Sequence, residues 1–338
     1  MTPLPPDRIR SHLEDRGPVG ADVHAVADTA WDLLSTGLLD LPLPGSGQAI
    51  MRWWALVEVA AVDLAVARLV ENHLEAQAIH AEVGSGFPDG LWGVWADDGG
   101  DTRLIAEPVD GGWRLSGTKR WCAGARSVTR ALVTAHAIDG VRLFALPTRG
   151  PSVRFDPDSG PAVGMALADP LQMTLEDTML SADHEVGDGP NWYVDRPGYW
   201  ATAAGNAAVW YGGCLGVARE VRATVARDAT DPFGIAHLGF ADALCGAMEA
   251  TLTRAARAID STDQALGRTA AWQCRAVVEH LASTLVRDAG NVLGRDVLAG
   301  DDVLSRRIAD LTVDLRRHTG EREYAALGAD VLDNGRLV

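Results

Sequence analysis

Lys119 is the only lysine in 338 residues, set against 29 arginines, and it sits in Gly117-Thr-Lys-Arg-Trp-Cys-Ala-Gly124. A lone ammonium beside a Trp-x-x-Gly turn suits a binding site, and a GC-rich genome that favours arginine explains it equally well. His318 lies in the run Arg316-Arg-His-Thr-Gly-Glu-Arg-Glu323. Imidazole exchanges a proton near neutral pH. The run also fits ligand binding without catalysis or a solvated helix face, and all three readings stay open. The other histidines show no metal-ligand spacing; His73 and His80, seven apart on one helix, share a face without further ligands and read as packing. No Gly-x-Ser-x-Gly elbow, P-loop or Gly-x-Gly-x-x-Gly follows a strand, so serine hydrolase and nucleotide kinase chemistry lack a foothold.

Those residues need a scaffold, and composition bounds it. The chain is long enough for a large core in two or three lobes. Hydrophobic content of 47% with 22% charged residues is ordinary for a soluble globular protein. No apolar run approaches the roughly 20 residues that span a bilayer, and Met1-Thr-Pro-Leu-Pro-Pro-Asp7 does not show the basic start and apolar stretch expected of a secretion signal. Cysteines 122, 214, 245 and 274 stand singly and fit reduced, packed thiols of a cytoplasmic protein. A net charge of −16 repels nucleic acid.

Apolar periodicity predicts helices over 22–34 and 50–83, with a loop at 42–47. Val62, Leu69 and Leu74 alternate with Asp63, Arg68, Glu71 and Glu75, the pattern of an amphipathic helix. Between 85 and 190 the chain turns to short apolar segments punctuated by Gly and Pro. Asp110-Gly-Gly112 and Asp139-Gly140 are hairpin turns, the first joining 103–109 to 113–115 and the second joining 130–137 to 141–146. A further strand is expected over 171–176. Four long helices follow, roughly 200–229, 234–261, 268–294 and 302–327. Gly205, Gly212, Gly213 and Gly216 on the first of them predict close helix–helix approach. Periodicity by itself gives α+β, mostly α.

The 113–134 segment resembles the flavin-facing β-segment of the acyl-CoA dehydrogenase family, Gly-x-Lys-x-Trp/Phe followed by an apolar strand. The order of the zones is similar to the same family, as are Ala65-Val-Ala-Arg-Leu-Val-Glu-Asn-His73, Arg196-Pro-Gly-Tyr-Trp200, Ala207-Ala-Val-Trp-Tyr-Gly-Gly213 and Arg306-Arg-Ile-Ala-Asp-Leu311. The resemblance implies an N-terminal helical domain (1–84), a central barrel-like antiparallel β-domain (85–190) and a C-terminal four-helix bundle (191–338). It also implies FAD, an acyl-CoA or carrier-bound acyl substrate, an electron-transfer partner, and a homodimer or tetramer in which neighbours share cofactor contacts.

Carried onto this sequence, the resemblance places the flavin ring beside Trp121 to Gly124, where Ala123 stands for the family's Thr, and beside Trp95 and Ala96. Trp121 fits ordinary core burial as well. Phe233 and Gly234 match the family's adenine clamp, although Thr230 replaces its Arg; Asn291 and Gly294 stand for its Gln-x-x-Gly-Gly, with Arg295 in place of the last Gly. His318 falls near the usual catalytic Glu, with Glu321 and Glu323 a few residues further on as further candidates, and the alternative base position carries Asn206. The resemblance thus implies α,β-dehydrogenation of an acyl thioester. Two alternatives remain: a flavin monooxygenase on the same scaffold, or a degenerate subunit that completes a partner's site in a hetero-oligomer.

Overall fold

The computed structural model describes residues 5–97, 102–161, 163–261, 263–300 and 303–335. Ahead of the first expected helix stands α1 (Pro5–Arg16), followed by α2 (Val23–Ser35), which Asp22 caps by accepting from the His24 and Ala25 N–H groups. The apolar run over 50–83 is two helices, α3 (Ala49–Val62) and α4 (Leu64–Glu82). Asp63 separates them. Its backbone is extended, and its carboxylate accepts from Ala65 N at 2.8 Å and Val66 N at 3.0 Å, an N-cap in the middle of the run. The polar stripe of α4 is not solvated: Glu71, Asn72, His73 and Glu75 are all buried.

Both expected hairpins form. β2 (Leu104–Val109) pairs antiparallel with β3 (Gly112–Cys122), and β4 (Arg130–Ala137) with β5 (Gly140–Pro147). β6 (Val153–Asp156), β7 (Leu171–Ser181) and β8 (Glu185–Val186) extend a sheet of eight strands among the described residues, seven of them in the order β6-β7-β3-β2-β4-β5-β8 and one more pairing with β4 beside that path. It is antiparallel except where β1 (Trp92–Trp95) and β2 meet β4 in parallel.

After the short α5 (Trp192–Asp195) come α6 (Tyr199–Val225), α7 (Pro232–Ile259) and α8 (Gln264–Ala299), the last broken at Gly294, where φ is 76°. The fourth expected helix is two pieces, α9 (Val303–Asp314) and α10 (Glu321–Asn334), joined through a 3₁₀ turn, Leu315–Arg317. Gly320, at φ 55°, makes the break, and the Thr319 N–H donates to Glu323 Oε1 across it at 3.1 Å. With its central sheet and helical lobes the chain has the acyl-CoA dehydrogenase-like fold.

The α6 glycines behave as expected at two positions. A Cβ on Gly212 would lie 2.4 Å from Val57 O and 2.7 Å from Ala60 Cβ, and one on Gly216 would lie 2.7 Å from Ala61 O. There the α6 backbone lies directly on α3. Gly246 on α7 has open space instead. Gly212→Ala should therefore lower the unfolding temperature by several degrees through overpacking. Gly246→Ala should leave it unchanged or raise it slightly. Equal thermal shifts in the two variants would refute close approach as the reason for Gly212.

Candidate active-site cavity

Where the sheet faces α4, α6 and the chain from α8 to α10, it leaves a cavity of about 1000 Å³. The sheet wall begins at β1 with Trp95, Ala96 and Asp97 and continues into β3 with Arg120, Trp121 and Ala123. Pairing between β3 and β7 shifts register between Lys119 and Cys122. At that bulge Trp121 adopts φ 60°, a left-handed backbone that costs an L-residue about 1–2 kcal/mol. Cys122 turns into the core, while Trp121 stays 45% exposed on the cavity.

Lys119 does not line the cavity. It is fully buried, donating from Nζ to Thr134 Oγ1 at 2.7 Å and Thr134 O at 3.1 Å, with Ala96 O at 3.5 Å. The Thr134 hydroxyl donates to the same Ala96 carbonyl at 2.9 Å. The lone lysine thus clamps the end of β1 behind the wall. Trp95 Nε1 donates to Ala123 O at 3.1 Å, turning that carbonyl inward.

The helical wall is built on buried charge. Arg68 of α4 donates to Glu71 at 2.8 Å and to Asp314 of α9. Glu71 also accepts from Arg317 at 3.1 Å and from the Asn206 side-chain amide of α6. Asn206 in turn accepts from Arg275 of α8 at 2.9 Å, and Arg275 grips Glu323 with two bonds of 2.7 Å. Burial alone would raise the Asp314 carboxyl, yet Arg68 and Arg317 hold it below the ordinary range. Burial likewise opposes ionisation of Glu323, and Arg275 prevails there too. Nearby, Arg196 Nη2 donates to Glu75 at 2.8 Å, and Glu75 also accepts from the Tyr193 hydroxyl at 2.9 Å.

One end of the cavity is aromatic. Tyr193, Tyr199, Trp200 and Trp272 form an edge-to-face row with centroid spacings of 5.7, 5.0 and 5.0 Å. Thr202, Asn206 and Asn72 supply its neutral polar groups.

Of the residues singled out from sequence, Trp95, Ala96, Trp121, Ala123, Asn206 and Glu323 come together on the cavity. His318 does not line it: its side chain is 2% exposed, its Nε2 is 3.6 Å from Glu323 Oε2, and burial lowers its pKa. Glu321 is exposed in the first turn of α10, away from the wall. Phe233, 76% exposed, and Gly234 open α7, while Asn291 and Gly294 lie towards the far end of α8; none of the four lines the cavity within one chain. Sequence reasoning missed Arg68, Glu75, Tyr193, Tyr199, Trp200, Trp272, Arg275 and Arg317. The available signal was the stripe Arg68, Glu71, Asn72, Glu75, which repeats at helical spacing along one face of α4.

No protein-family model matches the chain, and no curated protein does. Solved structures match it over nearly their whole length. KijD3 in complex with dTDP aligns with a TM-score of 0.77 at 18% identity, covering 98% of this chain and 94% of that one. Methanesulfinate monooxygenase MsuC from Pseudomonas fluorescens aligns at 0.76 and 17% identity, covering 100% and 98%. Dibenzothiophene monooxygenase TdsC from Paenibacillus sp. A11-2 aligns at 0.76 and 18% identity, covering 98% and 96%. At such identities the likeness establishes the fold.

A loop from the sheet closes against the helices through Met165, whose N–H donates to the buried Asp310 of α9. Burial pushes that carboxyl up to about 6. A raised folded-state pKa means that ionisation opposes folding: stability present below the ordinary carboxylate value is lost as pH rises through about 6. Asp310→Asn keeps an acceptor for Met165 without the charge. The variant should gain stability relative to the parent between pH 4 and 7, read as diverging unfolding temperatures. Parallel pH curves for the two proteins would rule this out.

Proposed function

We propose that this chain is a flavin-dependent oxidoreductase whose cavity serves a monooxygenase better than an acyl-CoA dehydrogenase. The observation that carries the preference is the state of the helix-wall carboxylates. Removing a proton α to a thioester needs a carboxylate free to accept it, with a pKa near the working pH. Glu323 is locked to Arg275 and held low, Glu75 is held by Arg196 and Tyr193, and the other base position is Asn206. Asp97, the remaining lining carboxylate, is exposed on the sheet wall beside Trp121 and Ala96.

The residues present fit a flavin. The volume is at the top of the roughly 300–1,000 Å³ range of small-molecule pockets, enough for a tricyclic ring and a second small molecule. The half-exposed Trp121 indole offers a face for the ring, and its left-handed backbone is the kind of strain that gathers at functional sites. KijD3 and TdsC have each been solved with FMN. Those two neighbours support FMN, in preference to FAD, as the flavin proposed for this chain. When bound, a flavin supplies the redox chemistry. The protein supplies position: Lys119 and Thr134 fix Ala96, Trp121 faces the ring, and the row from Tyr193 to Trp272 receives a neutral, ring-bearing substrate with Thr202 and Asn72 for orientation. The exposed Phe233, Ile235 and Phe240 on α7 support self-association through that helix.

Flavin titration followed by fluorescence tests the site. Trp121→Ala should weaken FMN binding about tenfold, the loss of a stacked aromatic contact. An unchanged Kd would remove Trp121 from the site. Anaerobic addition of acyl-CoA to the loaded protein should leave the visible flavin band intact. Bleaching of that band would restore the dehydrogenase reading.

A further inference from the structure

We propose that Arg120 is the anion-recognising residue of this cavity and takes the terminal phosphate of flavin mononucleotide, an inference that rests on the flavin reading above. Along a regular strand, consecutive side chains point to opposite faces. The left-handed backbone of Trp121 cancels that alternation, and Arg120 and Trp121 line the cavity side by side. The bulge therefore presents a guanidinium and an indole together.

The other lining arginines have protein acceptors. Arg275 spends its donors on Glu323, Asn206 and two backbone carbonyls, and Arg68 and Arg317 share Glu71. Arg316 is held by Glu279 and Ser283. Arg120 is exposed, and no described residue gives its side chain a hydrogen bond or an ion pair. Its fork is the one left open on the wall among the described residues.

A ring-stacking face with an open guanidinium beside it matches a ligand that is planar at one end and anionic at the other. A phosphomonoester carries about −1.5 to −2 charges at neutral pH and accepts a bidentate arginine. The whole chain bears −16, so such an anion meets a repulsive field unless a local cation offsets it. Riboflavin has the ring without the phosphate and gains nothing from Arg120.

The test is a titration of the parent protein, Arg120→Gln and Arg120→Lys with riboflavin and with FMN, at low and at physiological salt. The parent should prefer FMN by about tenfold to a hundredfold, the range of a charge-assisted contact. Arg120→Gln should erase that preference while leaving the riboflavin Kd and the unfolding temperature unchanged. Arg120→Lys should keep part of it. Salt should weaken FMN binding far more in the parent than in Arg120→Gln. A preference for FMN that survives Arg120→Gln overturns the assignment, as does a parent that binds both flavins equally; the flavin reading then stands without Arg120. A parent that binds neither flavin overturns both.

Discussion

Glu71 is the point on which the geometry of the cavity depends. One carboxylate of α4 accepts from Arg68 on its own helix, from Asn206 on α6 and from Arg317 in the turn between α9 and α10. Through Asn206 and Arg275 the same network reaches α8 and Glu323, and through Arg68 it reaches Asp314, where the Trp210 indole also donates at 3.0 Å. Buried ion networks add little net stability against apolar replacements of the same shape, because desolvation offsets most of the Coulomb attraction. Breaking one partner is expensive, on the order of 3–5 kcal/mol, because the other charge is stranded. The network is therefore best understood as a positional constraint. Helices that could slide along an apolar seam are pinned where their charges match.

The sheet wall is fixed by different means. Lys119 sits where a buried ammonium is tolerated only with oxygens around it, and Thr134 and Ala96 supply them. That clamp holds the end of β1 against β4, and Trp95 holds the Ala123 carbonyl from the other side. Between those two anchors the chain has no slack, and the register shift falls on Trp121. A bulky side chain in a left-handed backbone persists only where its surroundings over-determine it.

The hairpins at 110–112 and 139–140 were legible because Asp-Gly turns have few alternatives, and the order of the zones was legible because a resemblance ran along nearly the whole chain. The α4 stripe was legible as the polar side of an amphipathic helix, and its burial was not. Periodicity says that Arg68, Glu71, Asn72 and Glu75 share a face; it does not say whether that face meets water or another buried charge. Their partners Arg196, Asn206, Asp314 and Arg317 come from segments more than a hundred residues away, which no local pattern reports. The break at Gly320 was missed for a similar reason. The resemblance sets His318 near the usual base, whereas the 3₁₀ turn and the left-handed Gly320 bring Arg317, Thr319 and Glu323 to the wall and leave the imidazole off it.

The two walls also differ in what they leave open to a ligand. On the helical side, arginines and carboxylates consume one another's hydrogen bonds, so the interior is charged in its parts and nearly neutral in effect. What remains for a substrate there is the edge-to-face aromatic row and a few neutral amides and hydroxyls. Because that row is contributed by α5, α6 and α8 together, it cannot widen without moving helices that the Glu71 network pins. The same constraint that removes free bases from the helical wall thus also fixes the shape of the space beside it. A rigid, aromatic, internally neutralised pocket facing a strained indole suits chemistry in which a bound cofactor does the reacting and the protein holds two partners in register.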